Sequence, residues 1–305
     1  MIELTGVSRW YGDVIGLNDV NCRIGSGVTA LLGQNGAGKS TLMKLITGQI
    51  RPTTGEVRVF GNDPFSNTQV FEKLGYCPDI DSFPEHLSGR EFVYRMGRMM
   101  GYDHETGVRR TEDVLQQVGM SDRADRSVKG YSKGMRQRIK LAQAIFHDPD
   151  LLLLDEPLNG LDPVGRREFM DVLQGLAMRG KAIVVSSHIL FEVEQMTRSI
   201  LLLHRGRLLA SGDVSEIRDL IDRYPHRIKI RGDRVREMAG RFAGLPFVVS
   251  LSVNEALDEV EVQTRQAGDF YAVVGDLAAE GFGIWEIESP DNNLESVYEY
   301  LVGAQ

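Results

Sequence analysis

The chain has little cysteine, no long apolar run and no excess of positive charge, and each shortage narrows what it can be. Only two cysteines, Cys22 and Cys77, occur in 305 residues. That excludes a disulfide scaffold and makes a reducing compartment the default. Both cysteines read as small buried hydrophobes. The apolar runs "LLLL" (151–154) and "ILLL" (200–203) fall far short of the ~20 residues a membrane-spanning helix needs. The opening "MIELTGVSRW" has no long apolar stretch after a basic start, so no secretory leader is expected. The net charge of −8 leaves no overall electrostatic footprint for nucleic acid. If such a chain works at a membrane, it must dock onto something else that crosses it.

What is present suits one large domain and a small one. The length exceeds that of a minimal domain, and 42% hydrophobic residues suffice for a sizeable core. "VTALLG" (28–33) is a compact apolar run ending in glycine, the pattern of a buried strand, and "STLMKLITGQI" (40–50) follows at helical spacing. The region of about 85–147 is mostly helical by its three-to-four spacing, with methionines that pack helices together. "DLLLLDEP" (150–157) and "KAIVVSSH" (181–188) read as buried strands joined by a helical stretch. Strand, helix, strand predicts a parallel sheet covered by helices. Ligands of such sheets gather beyond the carboxyl ends of the strands, where Gly33, Asp155, Glu156 and His188 fall. The texture changes near residue 224. The expected domains are therefore 1–222, α/β with the helical subdomain, and 225–305. The second reads as a small α+β domain of order βαββαβ plus a terminal helix, with no phosphate, metal or nucleophile signature.

Three segments carry chemistry. Gly33-Gln34-Asn35-Gly36-Ala37-Gly38-Lys39-Ser40, followed by Thr41, fits G-x-x-x-x-G-K-[ST] between a strand and a helix. Glycines let backbone N–H groups curl around phosphate oxygens at a helix N-terminus. Lys39 is expected to reach the β- and γ-phosphates and Ser40 to bind Mg²⁺. Asp155, ending a buried strand, is expected to hold Mg²⁺ through water. Glu156, one residue on, can face the γ-phosphate, where a positioned base is worth ~10²–10⁴ in rate. His188, on the neighbouring strand, is expected to contact the γ-phosphate. The other histidines, 86, 104, 147, 204 and 226, read as ordinary surface or packing residues. Either Trp10 or Tyr11 offers a flat face for stacking on a base.

"GYSKGM" (130–135) resembles half of a phosphate grip. Ser132 and Gly134 precede a helical face of Met135, Ile139, Ala142 and Ile145. The loop lacks a conventional P-loop lysine and cannot hold a nucleotide alone. Two copies of the chain, each offering one full and one half grip, could pair head-to-tail and complete two sites.

In this order and spacing, the motifs over about residues 1–220 resemble the nucleotide-binding subunit of ABC transporters. "GQNGAGKS" is similar to the family's Walker A and "LLLLDE" to its Walker B, and "YSKGM" stands where its signature stands. "NGLD" (159–162), with Asp162, resembles the D-loop and "SSH" (186–188) the H-loop. The resemblance implies a P-loop ATPase domain with a mixed sheet and helical subdomain, with ATP and Mg²⁺ as cofactors. It implies that Tyr11 stacks on adenine, that Ser132 and Gly134 act on the partner subunit's ATP, and that Glu156 polarises the attacking water. The implied partners are a second ATPase subunit, in a homodimer, and an integral membrane permease, with no nucleic acid. The chain would then sit peripherally on the cytoplasmic face of the membrane.

One departure stands out. "GYCPDID" puts Asp79 where the family usually carries glutamine. Aspartate is shorter and charged, and it can approach Mg²⁺ or its water. This aspartate, "YSKGMRQR", "EPLNGLDP" and the tail "NLESVYEYLVG" look similar to an exporter branch. Two rival readings stand beside this one: a soluble ABC ATPase acting on ribosomes or DNA, and a module that binds ATP but hardly turns it over.

Overall fold

The computed structural model describes residues 1–219 and 224–303. The chain divides into two compact units, Met1–Ser211 and Gly212–Gln305. The expected break at 222–225 falls beside residues 220–223, which lie outside the described residues.

The first unit contains β1 (Ile2–Tyr11), β2 (Val14–Ile24), β3 (Gly27–Leu32), α1 (Lys39–Ile46), β4 (Thr54–Val59) and β5 (Leu74–Cys77). The helices α2 (Gly89–Met99), α3 (His104–Gln117) and α4 (Lys133–Ile145) follow. Then come β6 (Leu151–Leu154), α5 (Pro163–Met178), β7 (Ala182–Ser187), α6 (Leu190–Glu194), β8 (Ser199–His204) and β9 (Arg207–Asp213), the last running across the division.

A three-stranded antiparallel sheet, ordered β2-β1-β4, lies beside a six-stranded sheet ordered β5-β6-β7-β3-β8-β9. The pairs β5–β6, β6–β7, β7–β3 and β3–β8 are all parallel. Every residue of β6 is a fully buried leucine, as expected for a parallel strand covered on both faces. Alternate residues serve two cores. Leu152, Leu154, Ile183 and Val185 pack with Val114, Leu115, Ile139 and Phe146 of the helical region. Leu151, Leu153, Ala182 and Val184 pack with Leu42, Leu45 and Ile46 of α1 and with Ile2 and Leu4 of β1.

The helical region is framed by caps. Ser88 and Glu91 form a reciprocal capping box on α2, and Asp103 caps α3. Ser132 caps α4, and Asp162 caps α5 ahead of Pro163 in its first turn. Helix α2 lies so close to Phe146 that a Cβ on Gly97 would stand 2.2 Å from the ring.

The second unit runs α7 (Val214–Asp219), β10 (His226–Gly232), α8 (Val235–Ala243), β11 (Val248–Asn254), β12 (Glu259–Thr264), α9 (Ala267–Ala279), β13 (Ile284–Glu288) and α10 (Leu294–Gly303). From β10 onward this is the expected βαββαβ order plus a terminal helix. Its strands pair antiparallel in the order β11-β12-β10-β13, a split βαβ arrangement. One sheet face, with Ile228, Ile230, Val260 and Val262, packs on Met238 and Phe242 of α8 and on Phe270, Val274 and Leu277 of α9. Helix α7 joins this unit through fully buried Arg218, which pairs with Asp291 and donates to the Tyr224 carbonyl at 3.0 Å.

Candidate functional site: a phosphate loop and two acids at the strand ends

Strand order decides what meets at the carboxyl edge of the large sheet. β7 lies between β6 and β3, with Leu154 opposite Val185 and Leu32 opposite Ser187. The loop after β3, the acids after β6 and the Ser187–His188 turn after β7 therefore open onto one crevice.

The loop leaving β3 requires glycine. Gly36 and Gly38 hold φ of 81° and 109°, a region that L side chains rarely adopt. A Cβ on Gly38 would also stand 2.6 Å from the Gly16 carbonyl. The loop ends at the N-terminus of α1, whose free N–H groups and dipole favour an anion.

A cavity of about 500 Å³ lies over this loop. Tyr11, Gln34, Asn35, Gly36, Gly38, Lys39, Ser40, Thr41, Asp79, Asp155 and Glu156 line it. Tyr11 is among them and Trp10 is not. The Arg9 guanidinium stacks 4.9 Å from the Tyr11 ring centre, a cation–π contact that steadies an otherwise exposed aromatic.

The polar groups of the cavity form one connected set. Lys39 Nζ donates to the Gly33 carbonyl at 2.6 Å and stands 3.3 Å from Glu156 Oε1. Ser40 Oγ donates to Asp155 Oδ2 at 3.3 Å. Glu156 Oε2 meets His188 Nδ1 at 2.9 Å. Glu156 itself has φ of 48°, strained for a non-glycine residue and held by its surroundings. The hold comes from Ser186, whose Oγ accepts from the Glu156 N–H at 2.8 Å and donates to Asp155 Oδ1 at 2.6 Å. Tyr76, also lining the cavity, has its phenol pushed up to about 12, first by burial and then by the Asp155 charge, so it stays protonated. Burial pushes Cys22 and Cys77 to about 11 and about 12, so both are inert thiols, as the sequence reading expected.

Some expected residues stand elsewhere. Gly33 contributes its carbonyl to Lys39, while Ala37 is buried behind the loop. His188 reaches the site through Glu156 rather than as a wall of the cavity. Ser132, Gly134 and Asp162 are absent from the cavity wall. Their two loops meet each other instead. A Cβ on Gly134 would stand 3.1 Å from the Leu161 side chain, and one on Gly160 would meet the Lys133 side chain at 2.3 Å.

Sequence reasoning missed Ser186 and Tyr76. Ser186 carried a signal, a hydroxyl at the buried end of the strand beside the acids. Tyr76 carried none, because an aromatic in a short strand ordinarily packs.

The donor set fits a nucleotide triphosphate with a hard cation. An ammonium, hydroxyls and helix N–H groups suit phosphate, and the Ser40 and Asp155 oxygens suit Mg²⁺. Among the described residues, no group of three His, Cys, Asp or Glu side chains could hold a metal unaided. A Mg²⁺ ion here would share its ligands with phosphate oxygens.

Fold and site together define a P-loop nucleoside triphosphatase. The ABC transporter family model matches residues 17–159. The chain is 32% identical to the bacitracin transport ATP-binding protein BcrA of Enterococcus faecalis, over 99% of this chain and 96% of that one. It is 31% identical to the daunorubicin/doxorubicin resistance ATP-binding protein DrrA of Streptomyces peucetius, over 99% and 92%. A solved ATP-binding subunit of an ABC transporter superposes with a TM-score of 0.65 at 29% identity, covering 72% of this chain and 92% of that one. The fold also matches that of a dimeric ATP-binding cassette bound to ADP and Pi, with a TM-score of 0.63 at 23% identity over 70% of this chain and 98% of that one. The chain belongs to the ATP-binding subunits of ABC transporters and is an ATPase.

Proposed function

We propose that this ATPase pairs face to face with a second copy of itself and drives a membrane-embedded permease in the direction of export. The carrying observation is the separation of the two grips. The phosphate loop lines the cavity, while Ser132 and Gly134, at the start of α4, are not among its lining residues. A loop of that chemistry is best used on another chain's nucleotide. Asp162, beside it at the cap of α5, would approach the same shared cleft.

In each site Lys39 and the backbone N–H groups of 36–41 would hold the phosphates, with Tyr11 beneath the base. Ser40, Asp155 and Asp79 would offer oxygens to Mg²⁺, which supplies charge neutralisation when bound. Glu156 would orient and polarise the attacking water. His188 would hold the Glu156 carboxylate in position and face the γ-phosphate.

The export direction is supported by relatives named for bacitracin transport and for drug resistance. These names favour the transport reading over action on ribosomes or DNA. No helix among the described residues is long and apolar enough to cross a membrane. Attachment at the cytoplasmic face would therefore come through the permease. A groove of about 860 Å³ within the first unit, lined by Phe71, Tyr76, Met100, Tyr102, Gln143 and His147, is the surface we assign to it. The second unit would stabilise the dimer.

Glu156→Gln tests the pairing. The neutral amide keeps the size of the side chain and removes the base. ATP should then convert monomer to a stable dimer in sedimentation velocity, with hydrolysis reduced by ~10²-fold or more. A variant that hydrolyses normally, or stays monomeric with saturating ATP, overturns the reading.

A further inference from the structure

Lys140 stands in the second turn from the end of α4 and is 3% exposed. Its neighbours Ile139, Leu141 and Ala142 are fully buried core residues. A lysine in such a place carries a desolvation cost unless its charge and protons are met. They are met fully. Lys140 Nζ donates to the carbonyls of Pro78 at 2.8 Å and Asp79 at 3.0 Å, and it stands 2.9 Å from Asp81 Oδ1. An ammonium has three protons, and three oxygens receive them.

All three oxygens belong to residues 78–81, the segment that follows β5. Pro78, Asp79 and Ile80 of that segment line the nucleotide cavity. The helix that carries Lys140 starts at the Ser132 cap, eight residues and roughly 12 Å along the same rigid axis. One buried ammonium thus fastens the wall of this chain's own cavity to the helix whose first turn is offered to the partner's nucleotide. The amine engages the Asp79 carbonyl rather than its carboxylate.

We propose that Lys140 is a positioning residue that couples the two composite sites. It makes the Asp79 segment and the Ser132–Gly134 loop move as one body, so that occupancy of one cleft is felt at the other. This rests on the dimeric reading above. Stability alone is a poor reason for the pair, because replacing both members of a buried ion pair by well-packed apolar side chains is often neutral or stabilising. Directional bonds to two backbone carbonyls specify where the segment lies.

The test uses the full-length chain, with Lys140→Met to keep the length and burial of the side chain. Asp81→Asn is a second variant that weakens the same grip from its partly exposed side. Amide hydrogen exchange is measured with and without Mg²⁺-ADP. In Lys140→Met, the amides of residues 79–81 should exchange at least about tenfold faster, the change expected from losing charged hydrogen bonds. The response of residues 131–136 to nucleotide, expected in the unmodified chain, should disappear. Asp81→Asn should move both in the same direction by less. Turnover should fall while the KM for ATP stays within about twofold, the split expected when ground-state binding is untouched. Unchanged exchange at 79–81, or a nucleotide response at 131–136 that survives in Lys140→Met, overturns the coupling. If nucleotide fails to protect 33–41 in the unmodified chain, the nucleotide assignment itself falls. Exchange at 79–81 still judges the clamp in that case.

Discussion

Ser186 places one hydroxyl between the two acids. It donates to Asp155 Oδ1 and accepts from the Glu156 N–H, and so it holds Glu156 at a φ of 48°. Removing it leaves a buried carboxylate oxygen and a backbone donor short of a partner, at a cost of ~1–3 kcal/mol. Ser186→Ala should therefore lower the melting temperature and reduce turnover by about tenfold through loss of ~1.4 kcal/mol of transition-state support. Thermal unfolding and steady-state ATPase assays check both. Normal turnover would show that Glu156 needs no such support. Lys39, Ser40 and Asp155 were legible in the sequence because a glycine-rich loop between strand and helix ties residue type to position. Tyr11 and Trp10 were equal by residue chemistry; the family resemblance already favoured Tyr11, and the course of β1 puts Tyr11 at the cavity wall. Ser186 and Lys140 escaped because their roles depend on segments tens of residues distant, paired through strand register or helix packing.

Among the elements, β3, α1, β6, α5 and β7 were legible because burial on both faces imposes continuous apolar strands and an amphipathic helix between them. β1 and β2 were not legible at their full ten and eleven residues. Their register shifts three times, between Leu4 and Trp10, and such irregularities break the alternation that marks a strand. The five-residue α6 is too short to show a period. In helix α4 the cap residue has an observed job and a proposed one. The Ser132 side chain accepts from the Met135 N–H at 3.3 Å, and it is assigned to the partner's phosphates. Aspartate caps a helix about as well as serine, but it would present a negative charge to a phosphate. Ser132→Asp should keep the melting temperature of the parent while abolishing ATP-induced pairing in the Glu156→Gln background. Ser132→Ala, by contrast, should cost ~1 kcal/mol through loss of the cap. Sedimentation with ATP separates the two roles, and a Ser132→Asp chain that pairs normally removes this loop from the shared site.

At the scale of the whole molecule, the proposed pairing divides each cleft between two chains. The single chain brings together a phosphate loop, the hydrogen-bonded Ser40–Asp155 pair and Glu156 beside Lys39, yet Ser132 and Gly134 do not line the cavity these groups share. On the proposed pairing, a second chain in twofold relation would complete both sites at once, each copy offering its Ser132–Gly134 loop to the other's nucleotide. The second unit has its own core and the buried Arg218–Asp291 pair. Turnover should then follow the population of dimers. With saturating Mg²⁺-ATP, activity per chain should rise in proportion to protein concentration at high dilution, then level off once pairing is complete. Adding an excess of Lys39→Ala chains, which keep Ser132 and Gly134, should restore part of the activity of diluted unmodified chains, because each mixed pair retains one full cleft. Specific activity that stays constant across the dilution series would mean that one chain hydrolyses ATP alone, and the division of the cleft between two chains would be wrong.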